Sequence, residues 1–449
     1  MKERVVFVDY IRAFACFLVM LVHASENFYA ADSSGLAGSW SMLANEANRF
    51  WVSFYDGALG RVAVPLFMIV SAFLLVPMKQ GETMMSFYKK RFIRIMPPFI
   101  FFMLLYTFLP LAWDGMSLEQ SLTDLKLLPF NFPSMGGHLW FMYPLISLYL
   151  IIPVVSPWLE KASAKEERIF LGIFALSTFT PWIHRFITPE IWGECFWNGF
   201  SALWYCSGYL GYLVLAHYVR VHLNWSRDRK LLVGALCFIA GAAFTGWSFY
   251  LKGVPGVRIE TPMLEWAWEF CTPNVLLATF GLFIMFSCIG ASGAVSASAC
   301  GRASATSASA ACSAAGMTSA SVDCGAVGAV PSDSSSAADC GRANKADGGA
   351  EAVCQPSDGA AVARPSGGCC RRCCGKIITD ISKCSFGMYL MHMFFLSQIA
   401  AFFVNGNQAE PLIPVWAAIP VIAILTYICC YIITKLLSLI PGSKYFIGC

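Results

Sequence analysis

The chain has 449 residues, of which 57% are hydrophobic and only 13% charged, with a net charge of +4. Soluble domains average roughly 25% charged residues, so this composition excludes an ordinary soluble enzyme and marks an integral membrane protein. The net charge is small and spread by topology, so no nucleic-acid partner is expected. Nineteen cysteines in so long a chain are not the disulfide framework of a short secreted domain; those in or beside apolar runs, such as Cys16, Cys237 and Cys430, behave as small hydrophobes.

Apolar runs of about 20 residues predict an all-α, polytopic helix bundle with about ten transmembrane helices. They lie near 5–24, 58–77, 95–113, 138–157, 168–186, 200–217, 231–250, 273–290, 380–403 and 413–440. Basic residues cluster in alternate turns: Lys79, Lys89, Lys90, Arg91 and Arg94 after the second run, Lys161, Lys165 and Arg168 after the fourth, Arg220, Arg227, Arg229 and Lys230 after the sixth. By the positive-inside rule these turns and both termini are cytoplasmic, in a multi-pass membrane protein.

The first run, residues 4–26, carries Asp9, Arg12 and His23 inside an apolar stretch. Each charge there costs about 2.5–3.5 kcal/mol on insertion scales, and Asp9 and Arg12 also break the unbroken core that a cleavable signal peptide needs. Asp9 and Arg12 share a helical face and can pair. They suit a functional site or a simple helix staple. His23 follows Arg12 by eleven residues, roughly 16 Å along the axis, near the outer face.

The second run holds Arg61 near its outer end and Pro65, which can kink the helix. Residues 83–98 form a basic stretch that suits anionic headgroups of membrane lipid. Arg91 and Arg94, three apart, also suit the phosphates of a coenzyme. His138 opens the fourth run beside Trp140, near the outer face. His184, His217 and His222 fall in or near turns and are expected to be interfacial or solvated, and no metal site is expected. Residues 262–273, PMLEWAWEFCTP, set Glu265 and Glu269 among tryptophans, an arrangement that fits an interfacial aromatic belt or a sugar ring. Tyr389 and His392 share a face deep in the ninth run.

Residues 291–376 are rich in Ala, Ser, Gly, Cys and Asp and hold no aromatic. Such a segment cannot offset chain entropy by apolar burial, so a disordered cytoplasmic insert is expected. It divides the transmembrane domain into 1–290, with eight helices, and 377–449, with the last two. Its CCRRCCGK run spaces cysteines poorly for zinc.

Five stretches together resemble one known family. They are DYIRAFACFLVMLVH (9–23), RVAVPLFMIVSAFLL (61–75), FYKKRFIRIMPP (87–98), HLWFMYPLISLYLIIP (138–153) and SFGMYLMH (385–392). The chain is similar to the acyltransferase-3 family of bacterial membrane O-acyltransferases, and looks closest to the branch that O-acetylates surface glycans such as enterobacterial common antigen. The resemblance implies transfer of a short acyl group, usually acetyl from acetyl-CoA, to a sugar hydroxyl. It implies no permanently bound cofactor. The expected partners are acyl-CoA and a glycan or lipid-linked sugar acceptor. Arg12, Arg91 and Arg94 are carried over toward acyl-CoA, and His23 and His138 toward catalysis. Glu26, three residues past His23, is placed to orient its imidazole. Asp9, Arg61, Tyr389 and His392 complete the candidates. A proton-coupled transporter using Asp9, Arg12 and His23 is the alternative from the residues alone; it lacks an evident repeat between the halves.

Overall fold

The structure is a computed structural model that describes residues 5–29, 40–113, 115–188, 190–191, 202–253, 265–289, 368–404 and 411–448. The described residues form helices and turns, with no strand. In chain order they are α1 (Val6–Glu26), α2 (Glu46–Val52), α3 (Ala63–Leu75), α4 (Met84–Phe108), α5 (Pro110–Trp113), α6 (Leu118–Leu127), α7 (Met142–Leu159) and α8 (Ala164–Ser177). There follow α9 (Thr180–Phe186), α10 (Tyr209–Val221), α11 (Arg227–Lys252), α12 (Glu265–Trp268), α13 (Pro273–Phe286), α14 (Gly368–Phe403), α15 (Val415–Leu437) and α16 (Lys444–Ile447). The described residues up to 289 and from 372 onward belong to one compact unit. The expected disordered insert at 291–376 falls mostly outside the described residues. Its end departs from that expectation, because α14 is already helical from Gly368.

Eight of the ten expected spans are helices long and apolar enough to cross a membrane. The other two are shorter. The fifth is divided: α8 ends at Ser177, Thr178 caps it, and α9 begins with Pro181 in its first turn. Proline has no N–H with which to continue the preceding helix, so a new helix starts there. The sixth starts only at Tyr209, after Gly208, whose φ of 66° ends the preceding turn. At 1.5 Å per residue neither α8 nor α10 reaches the roughly 30 Å of a bilayer core.

The first helix lies at the centre of the unit. Ile11, Ala15 and Met20 are fully buried, and α1 packs on α3, α15 and the segment before α3. That segment is irregular: Ser53–Leu59 winds as a π-helix and Gly60–Val62 as a 3₁₀ turn. Wider and then tighter winding re-aims successive side chains, and π-turns recur at functional sites. Pro65 stands in the first turn of α3, where a missing N–H costs nothing; the irregularity therefore precedes the proline expected to cause it. α11 and α13 approach each other closely, and Gly234, Gly241 and Gly281 leave no room for a side chain there.

Candidate functional site

Two cavities are lined by the same helices. One, of about 440 Å³, is lined by His23, Glu26, Arg61, Trp140, Trp268 and Glu269, among others. The second, of about 380 Å³, is lined by Arg12, Lys79, Arg91, Arg94, Lys383 and Tyr389, among others. Arg12 and His23 stand on α1, which contributes to both. One face of α3 does the same, with Val64 on the first cavity and Phe67, Ser71 and Leu74 on the second. That spacing of three and four is the helical repeat.

In the first cavity, His23 Nδ1 lies 2.6 Å from Glu26 Oε2, and both side chains are largely buried. A separation of three residues on one helix produces this contact without help from the rest of the fold. With Nδ1–H donated to the carboxylate, the lone pair resides on Nε2, the arrangement that orients an imidazole base. Beside it, Arg61 is buried in an ion pair with Asp56, which also accepts a hydrogen bond from the Tyr29 hydroxyl. The Arg61 guanidinium lies over the Trp268 ring, 4.1 Å from its centroid. The tryptophan–carboxylate stretch around Trp268 and Glu269 thus reaches the same cavity as His23, and the Trp140 ring stacks on Phe270 with centroids 5.4 Å apart.

The second cavity gathers five cationic side chains from four parts of the chain, with Tyr149, Ser71, Ser382 and Ser385 offering hydroxyls. Arg91 and Arg94 stand on α4, which continues unbroken through Pro97 and Pro98. Arg91 also lies over the Phe87 ring at 5.3 Å. No carboxylate is among the described residues lining this cavity, and guanidinium forks have the geometry that binds phosphate in two-toothed fashion. Asp9, the remaining candidate on α1, accepts a 2.7 Å hydrogen bond from Ser382 and so joins α1 to α14.

Aromatic rings form part of the wall of the second cavity. Phe67 meets Phe141, and Phe141 meets Tyr389, at centroid distances of 6.0 and 5.6 Å. The Tyr389 hydroxyl donates to the His138 carbonyl at 2.5 Å. His138, expected near the outer face, is buried, is not among the residues lining either cavity, and its Nε2 lies 3.3 Å from the Leu390 carbonyl oxygen. Residues 134–141 form a 3₁₀ turn that carries the ring just before α7 begins. His392, fully buried, connects the two other histidines, with ring centroids 5.2 Å from His23 and 4.8 Å from His138.

His217 and His222 were expected to be interfacial or solvated; His217 is buried and His222 partly exposed, and both converge on buried Glu167. Asp56, Lys79 and Lys383 are site residues that sequence reasoning did not propose. Asp56 has a usable signal, a carboxylate five residues from Arg61 at the mouth of an apolar run. Lys79 and Lys383 have none beyond their charge.

An apolar helix bundle that places a histidine–carboxylate pair and a cationic cavity on shared helices has the parts of a multi-pass membrane transferase. The acyltransferase domain of the acyltransferase-3 family matches residues 5–306, and the chain belongs to that family. No curated protein and no solved structure matches it.

Proposed function

We propose that this membrane acyltransferase is an O-acetyltransferase that moves an acetyl group from acetyl-CoA, held on the cytoplasmic side, to a hydroxyl of a surface or lipid-linked glycan. The observation that carries this reading is that α1 lines two cavities, one with cations around Arg12 and one with a histidine–carboxylate pair at His23. The positions differ by eleven residues, roughly 16 Å of helix, comparable to the extended pantetheine arm of coenzyme A.

The phosphates of the donor lie among Arg12, Arg91 and Arg94, and the thioester reaches toward His23. The acceptor sugar enters the other cavity against Trp140 and Trp268, whose faces suit a sugar ring, while Arg61 and Glu269 offer polar contacts. His23 Nε2 takes the proton of the sugar hydroxyl as its oxygen attacks the thioester carbonyl. The C–S bond then breaks, and the sulfur leaves with the proton returned from the imidazolium. A sugar hydroxyl is a weak nucleophile near neutral pH, and a positioned base contributes roughly 10²–10⁴-fold.

The test is mass analysis of surface glycans from cells with the protein, without it, and with His23→Ala at equal abundance. Loss of one acetyl mass from the same glycan in the last two is expected. Unchanged glycans in cells lacking the protein would sink the proposal.

A further inference from the structure

Away from both cavities, Glu167 of α8 meets two histidines from the end of α10. His217 Nδ1 lies 2.9 Å and His222 Nε2 3.0 Å from the same carboxylate oxygen, Oε1. Glu167 is fully buried and His217 is 3% exposed. The second carboxylate oxygen, Oε2, is buried without a hydrogen-bond partner. Leaving such an atom unsatisfied costs about 1–3 kcal/mol or more, which points to a missing ligand. One donor atom from each of the three residues lies within 4.8 Å of the other two. Two imidazole nitrogens and a carboxylate are a donor set for zinc and neighbouring divalent metals, which leaves a position for water.

We propose that Glu167, His217 and His222 form a binding site for a divalent transition-metal ion, with zinc as the best match, that fastens α8 to α10. On binding, each imidazole directs a lone pair at the ion by shifting its proton to the other ring nitrogen, and Glu167 gains the partner its Oε2 lacks. The fastening has a mechanical consequence. Arg220, one turn past His217, donates to the carbonyls of Phe73 at 2.8 Å and Val76 at 3.0 Å. Those carbonyls close α3, whose Leu74 and Leu75 line the cationic cavity. An ion at Glu167 therefore braces one wall of that cavity without touching anything inside it.

The test uses the full chain in detergent, with Cys369, Cys370, Cys373 and Cys374 replaced by serine so that their thiols do not contribute. Metal content by mass spectrometry and the visible absorption of added Co²⁺ are the readouts, independent of activity. One metal per chain is expected, with a fall of about tenfold or more in metal affinity for Glu167→Gln, His217→Gln and His222→Gln and none for His184→Gln. His222 is at the rim, 20% exposed, so His222→Gln opens no buried void. A monodisperse His222→Gln protein that keeps its metal overturns the site. So does a parent protein that takes up neither zinc nor Co²⁺, a result that depends on no variant folding.

Discussion

His23 Nδ1 and Glu26 Oε2 are 2.6 Å apart on one turn of α1, and this contact separates two kinds of mutant. Replacing His23 by alanine removes the base itself. Replacing Glu26 by glutamine keeps shape but loses the charge that stabilises the imidazolium. Activity of His23→Ala is expected to fall to background. Glu26→Gln should lower kcat by about 10²-fold or more, within the range positioned acid–base groups supply, with KM for both substrates nearly unchanged. A steady-state split showing the loss in KM would assign Glu26 to binding instead.

The cations of the second cavity are tested by shortening the donor. Hydrogen bonds to charged groups contribute about 1.5–3 kcal/mol, so Arg91→Ala and Arg94→Ala should each raise KM for acetyl-CoA about tenfold or more. The same variants should use acetyl-pantetheine, which lacks the nucleotide phosphates, as well as the parent does. Equal losses with both donors would mean that these arginines hold the fold and not the phosphates.

A feature is legible in a sequence to the extent that its cause is local. The helices around α1 were legible because a run of apolar residues long enough to cross a bilayer has few other uses. Arg12 and His23 were legible for the converse reason, as charges where charges are costly. His23 and Glu26 meet through local geometry alone, so their spacing announced the contact. The burial of His138 is not legible, because its ring meets the Leu390 carbonyl 252 residues further along the chain. Glu167 and its histidines were missed because their partnership spans 50 and 55 residues of sequence. The division of the fifth span between α8 and α9 turns on Thr178 and Pro181, in a run whose apolar composition continues across the break.

The buried Arg61–Asp56 pair predicts a stability effect distinct from catalysis. Both side chains are within 3% of full burial. Removing one partner of a buried pair strands the other and costs about 3–5 kcal/mol. Asp56→Ala should therefore lower the thermal transition of the detergent-purified protein far more than Glu46→Ala, whose carboxylate is 82% exposed. The double replacement Asp56→Asn with Arg61→Met should recover part of the loss, since it leaves no unpaired charge. Equal transitions for Asp56→Ala and Glu46→Ala would show that the buried carboxylate contributes nothing.

The close approach of α11 to α13 makes the last prediction. A Cβ on Gly281 would sit 2.6 Å from the Phe238 backbone nitrogen, and one on Gly241 2.7 Å from that of Ala278. Both contacts are to backbone, which cannot rotate aside as a side chain can, so the helices themselves must part. Overpacking of this kind costs typically about 1–3 kcal/mol. Parting them also withdraws α11 from the π-helical segment, since Gly246 packs there against Ala58 and Asp56, the partner of Arg61, lies in the same turn. Gly241→Val and Gly281→Val are thus expected to lower both the thermal transition and the transferase rate. Gly172→Ala, where a new Cβ meets nothing within 4 Å, should lower neither. A Gly281→Val protein as stable and active as the parent would mean that α11 and α13 are not in fact packed at backbone distance.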